Sequence, residues 1–120
     1  MEYQNTYKIL RLKEWHKAQK DGIIVTDVDA KDGFIHLSIA SQLAYSLSLY
    51  FAEEKEVMLL LPKMKNIQSK IIYESINSNN RSGVFPHLYG KLRTDDISKS
   101  WKLIRGAFTL PSSILLESEF

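Results

Sequence analysis

The sequence predicts a single small α+β domain. Short apolar runs of strand character alternate with segments of helical spacing, and the Gly-rich crossovers of a doubly wound fold are missing. A length of 120 residues, 44% of them hydrophobic, without a linker or internal repeat, predicts that residues 1–120 close around one core.

Tyr7 to Leu10 reads as the first strand. Lys13 to Lys20 follows as a short helix, with Leu12, Trp15 and Ala18 spaced by three, and Gly22 stands where a helix C-cap is expected. Ile23 to Val25 reads as a brief strand, Asp27 to Gly33 as a polar, acidic turn, and Phe34 to Leu37 as a buried strand interrupted by His36. Ser38 or Ser41 is placed to cap the next helix, in which Ile39, Leu43, Leu47, Tyr50 and Phe51 recur at helical spacing. Val57 to Leu61, closed by Pro62, is a continuous apolar run of the kind found in central strands. Ile71 to Ile76 reads as another strand, Asn77 to Gly83 as a loop, and Leu88 to Leu92 as a further strand. Ile97, Trp101 and Ile104 suit a helix or helical turn behind Asp95 and Asp96, and Gly106 to Pro111 a turn-rich end.

Composition narrows the function classes. Sixteen basic and fourteen acidic side chains leave a formal charge of +2, too little to argue for a nucleic-acid or anionic-membrane partner. Zero cysteines exclude disulfides, thiolate nucleophiles and thiolate metal sites together. Met1 to Asn5 lacks a signal-peptide layout, and the longest apolar run falls far short of a membrane span, so a cytoplasmic location is expected.

Two histidines stand among apolar neighbours, and an unpaired imidazole in such a setting costs about 1–3 kcal/mol. Strand alternation turns His36 away from Ile35 and Leu37, onto a face shared with Phe34 and Ser38. His87 repeats the pattern, with Tyr89 on its own side. Each reads equally as a satisfied structural histidine or a working one. Glu74 alternates with Ile72 and Ile76, which makes it either a catalytic carboxylate or a member of a buried ion pair. Asp29 and Asp32 read as turn residues before they read as metal ligands, His16 as a surface residue, and Trp15 and Trp101 as core. There is no dinucleotide fingerprint, phosphate-cradling loop, His-Glu-x-x-His motif or Gly-x-Ser-x-Gly elbow.

Trp15 with Ala18, the block Asp29-x-x-Asp32-Gly33-Phe34-Ile35-His36-Leu37-Ser38, then Gln42, Tyr50-Phe51, Tyr73-Glu74 and Phe85-Pro86-His87-Leu88-Tyr89-Gly90 resemble the bacterial domain of unknown function 952 family, from about Tyr7 to about Pro111. That family resembles in turn the ADP-ribosyltransferase group, which includes tRNA 2′-phosphotransferases and poly-ADP-ribose polymerases. The resemblance implies a split, mostly antiparallel β-sheet flanked by two to three helices, with NAD or a related nucleotide held in the cleft and no resident metal. It places His36 where that group stacks on nicotinamide. It implies Ser38, Tyr45, Lys8 and Tyr89 as further cofactor-binding positions, and His36, His87 and Glu74 as catalytic candidates. Lys8 stands where that group has a histidine, and its glutamate position falls near His87 unless Glu74 replaces it. Arg11, Arg81, Arg93 and Arg105 sit in no motif matching the phosphate-gripping arginines of the 2′-phosphotransferases. Two other readings stay open: a metal-assisted hydrolase built on His36, His87 and a carboxylate, and a non-catalytic interaction module.

Overall fold

The computed structural model describes residues 4–77, 82–104, 111, 113, 114 and 117. Its strands form two three-stranded antiparallel sheets. The first has the order β1 (Lys8–Arg11), β3 (Glu56–Pro62), β6 (Ile97–Ile104), and the second β2 (Ile35–His36), β5 (Ser82–Leu88), β4 (Ile71–Asn77). A backbone bridge joins them: Tyr7 N donates to Ser38 O at 2.7 Å and Ser38 N to Tyr7 O at 2.9 Å. About four helices pack around the sheets: α1 (Leu12–Asp21), α2 (Asp27–Asp32), α3 (Leu43–Tyr50) and the single turn α4 (Met64–Ile67). No helix among the described residues is long and apolar enough to cross a membrane.

The central strand of the first sheet, β3, is buried on both faces, because it is apolar at every central position. Period-two alternation sends Met58 and Leu60 to one side, with Leu10 of β1, and Val57 and Leu59 to the other, with Tyr7 and Ile9. The first cluster is closed by Ala18 of α1 and by Leu37, Leu88 and Leu92. The second is closed by Leu43 and Leu47 of α3, and by Leu103. Trp15 and Trp101 pack against these clusters as expected. Lys8 shares its strand face with Leu10 and is carried inward beside α1 and α2.

Several elements differ from the sequence reading. Asp27 to Gly33 is a helix rather than a turn, because Thr26 and Asp29 cap it reciprocally. Asp29 N donates to Thr26 Oγ1 at 3.1 Å, and Thr26 N to Asp29 Oδ2 at 3.0 Å. Gly33 then stops it at φ +84°, as Gly22 stops α1 at φ +79°. Neither Ser38 nor Ser41 caps α3. Instead Gln42 Oε1 accepts from Ile39 N at 3.0 Å, and the chain enters α3 through a 3-10 turn, Ala40–Gln42. Tyr50 of the expected apolar face remains exposed. Ile23 to Val25 is reduced to one bridge, Ile23 to Arg93.

The strand expected at Leu88–Leu92 lies earlier, as β5, with Pro86 inside it. In an antiparallel strand the N and O of one residue face the same neighbour. Pro86 O accepts from Leu37 N, just beyond the end of β2, so its missing N–H falls where that ladder has ended. The segment read as a helix, Ile97 to Ile104, is strand β6, because the open edge of β3 offers it a full ladder and tertiary pairing overrides the fourfold spacing. Residues 78–81 of the expected loop, and all of Gly106 to Pro111 except Pro111, lie outside the described residues.

Candidate functional site

Where the two sheets meet, a cavity of about 840 Å³ opens between β1, α2, β2 and the β4–β5 ladder. Lys8, His36, Ser38, Glu74, His87 and Tyr89 all line it, so six of the seven residues singled out in the sequence converge. Tyr45 does not: it sits 44% exposed on α3, outside the lining. His36 and His87 are directly opposed across β2 and β5, and their ring centroids lie 5.8 Å apart. Phe34 holds the two together, stacked on His87 at 4.0 Å and tilted against His36 at 4.6 Å and Tyr89 at 5.4 Å.

Asp29 organises the first half of the site. Buried to 2% exposure, it accepts from Lys8 Nζ at 3.0 and 2.8 Å, from His36 N at 3.0 Å, from Thr26 N at 3.0 Å, and faces His36 Nδ1 at 2.7 Å. Burial is the strongest single influence on this carboxyl and opposes its charge. The bond from His36, the Lys8 charge and bond, and the Thr26 N–H together outweigh it and hold the group below the usual carboxylate range. Burial pushes the Lys8 ammonium below the ordinary lysine range, against the pull of Asp29. Lys8 Nζ also donates to His36 O at 3.1 Å, so each of its three N–H groups has an acceptor, the geometry of an ion pair. Lys8 therefore ties β1, α2 and β2 together.

His36 stands between two carboxylates. Nε2 lies 2.9 Å from Asp32 Oδ2, opposite the Asp29 contact, and both are hydrogen bonds at once only when both ring nitrogens carry protons. The two carboxylates differ: the Asp29 side chain is 1% exposed and the Asp32 side chain 40%.

Glu74 organises the second half. Alternation puts Glu74, His87 and Tyr89 on one face of the β4–β5 ladder. Tyr89 OH donates to Glu74 Oε1 at 2.6 Å, and His87 Nδ1 faces the same oxygen at 2.8 Å. The Tyr89 bond, then the His87 bond, pull the Glu74 carboxyl below its usual range, and Glu74 in return raises the Tyr89 phenol. Both donors converge on one oxygen, and Oε2 has no protein partner among the described residues. His87 is itself 3% exposed beneath Phe34, so it meets the cavity chiefly through the carboxylate it orients. Ser38 is also buried and bonds Ser46 Oγ at 3.1 Å.

Asp29, Asp32 and Phe34 are the site residues that sequence reasoning did not assign to it. Thr26-x-x-Asp29 is a capping-box pattern and carried the missing signal for α2, hence for an inward Asp29. The charged lining comprises Lys8, Arg11 and Lys13 against Glu14, Asp27, Asp29, Asp32 and Glu74. Among the described residues no group of three or more potential ligands is arranged to hold a metal ion.

Fold and site together define a small α+β domain with antiparallel sheets and a polar, aromatic-walled cavity at their junction. The chain belongs to the family described as "Protein of unknown function (DUF952)", whose pattern it matches over residues 9–100. It is similar to the crystal structure of CC0527 from Caulobacter crescentus, a structural-genomics target, with 27% identity and a TM-score of 0.77 over 92% of this chain and 98% of that one. The solution structure of CC0527 superposes with a TM-score of 0.70 at 29% identity, covering 85% of this chain and 86% of that one. No protein of curated function matches the chain.

Proposed function

We propose that this protein binds NAD or a related nucleotide in the cavity between its two sheets, as an ADP-ribosyltransferase-like domain. The observation that carries the reading is the convergence of Phe34, His36, Glu74, His87 and Tyr89, from three strands and the residues flanking them, on one cavity of ligand size. The base-bearing end of the ligand lies against Phe34, Tyr89 and the face of the His36 ring. Glu74 Oε2 accepts a ribose hydroxyl, while His87 and Tyr89 act as positioning residues that hold the carboxylate still. Lys13, on the same lining, supplies a cation for the phosphates, beside an Arg11 already paired with Glu14 and Glu54. Cleavage of a nicotinamide–ribose bond would develop positive charge on the sugar, and a fixed, ionised Glu74 is the group suited to stabilise it.

Isothermal titration with NAD and with ADP-ribose tests the proposal. Binding in the micromolar to low millimolar range, lost in His36→Gln and weakened in Glu74→Gln while both variants stay folded, is the expected result. Absence of heat and of any thermal shift at several millimolar ligand refutes it.

A further inference from the structure

The two carboxylates on His36 are unequal in a way that a purely structural pairing does not require. Asp29 accepts five bonds, is sealed in the core and cannot leave without freeing the Lys8 charge. Asp32 is the last residue of α2, its side chain is 40% exposed, and its bond to His36 Nε2 is the one partner it has among the described residues. One ring nitrogen is thus held permanently, the other by a group that can swing into solvent at small cost. We infer that Asp32 is a stand-in for an anionic group of the ligand: its carboxylate closes His36 Nε2 in the free protein, and a phosphate oxygen takes its place on binding.

The chemistry of the displaced group selects the class of ligand. A ring flanked by two carboxylates keeps its charge balance when one carboxylate leaves only if another anion arrives. A neutral carboxamide gives the hydrogen bond without the charge, whereas a phosphate gives both. Lys13 lies on the same cavity lining and adds a cationic partner for that group, while Arg11 is paired with Glu14 and Glu54 and Lys8 is saturated by Asp29 and the His36 carbonyl. Asp32 then acts as a self-inhibitory contact. If it closes the site about nine-tenths of the time, ligand affinity is reduced about tenfold, the fraction of open protein setting the apparent constant.

This inference rests on the cavity described above but not on the ligand being a dinucleotide, and the experiment separates the two. ADP-ribose, NAD and inorganic pyrophosphate are titrated into the wild-type chain, Asp32→Asn, Asp32→Ala and the control Asp27→Asn, with near-UV circular dichroism to verify folding. Asp27 lines the same cavity without touching His36, so its variant reports the loss of one negative charge alone. The expected result is about tenfold tighter binding of phosphate-bearing probes to both Asp32 variants, at most a twofold gain in Asp27→Asn, and loss of the gain when His36→Gln is added. Equal gains at positions 27 and 32, or none at 32, overturn the inference while leaving nucleotide binding intact. Pyrophosphate binding that tightens in the Asp32 variants, with no binding of NAD or ADP-ribose, keeps the Asp32 contact and refutes the dinucleotide. No binding of any probe to any variant overturns both.

Discussion

Replacing Asp29 by Asn should be the most damaging single change in the site, and its size follows from the partners left behind. The carboxylate neutralises Lys8, which is 4% exposed, and receives bonds from two backbone N–H groups and one imidazole. An amide of the same shape has one oxygen for these donors and turns two donors of its own toward an ammonium and an imidazole. Removing one member of a buried ion pair typically costs about 3–5 kcal/mol, because the other charge stays buried without compensation. Against a domain stability of about 5–15 kcal/mol, Asp29→Asn is therefore expected to lose about 4 kcal/mol and to be marginal at room temperature. Urea unfolding followed by the fluorescence of Trp15 and Trp101 measures it. Adding Lys8→Met should recover at least half of the loss, since no orphan charge then remains. A loss below 1 kcal/mol in Asp29→Asn, or no recovery in the double variant, refutes the reasoning.

Acid sensitivity should follow the same carboxylates. Asp29 and Glu74 have folded pKa values depressed below their unfolded ones, so the unfolded chain binds more protons near pH 4 and their contribution is present above about pH 5 and lost as pH falls. Unfolding measured from pH 6 to pH 3 should therefore steepen in acid, and Glu74→Gln should flatten part of that slope; an unchanged slope contradicts the assignment. Tyr89→Phe removes one of two donors on Glu74 Oε1 from an exposed position, so the unfolding midpoint should hardly move while NAD affinity falls severalfold by titration. Gly33→Ala meets no atom within 4 Å but must adopt φ +84°, and a loss of about 1 kcal/mol in thermal or urea unfolding is expected from backbone strain alone.

The legible parts of the fold were those where local pattern and tertiary role agree. The unbroken apolar run at Val57–Leu61 became the doubly buried β3, and Gly22 stops α1 as its position implied. Alternation around His87 puts Tyr89 on the same face, and alternation around His36 puts Phe34 beside it, as the structure has them. Other segments carried signals that pointed elsewhere. In Ile97–Ile104 the residues at spacings of four and three mimic a helix, yet Trp101 and Leu103, two apart, reach the same core cluster, and the unpaired edge of β3 decides. Pro86 is admissible inside β5 because β2 ends early. Asp29 was misplaced for a similar reason: in a run of acidic residues nothing local distinguishes a solvated turn from a capped helix whose third residue points inward to a lysine twenty-one positions earlier. The pairing of Asp29 with Lys8 is a property of the assembled sheets.

The residues that a bound ligand touches are the most direct test of the cavity. Backbone amide shifts recorded by NMR during an NAD titration should move concertedly at Phe34, His36, Ser38, Glu74, His87 and Tyr89, with Tyr45 and the exposed side of α1 unmoved. Shifts scattered over the surface, or confined to residues outside the cavity, would contradict the placement of the site between the two sheets.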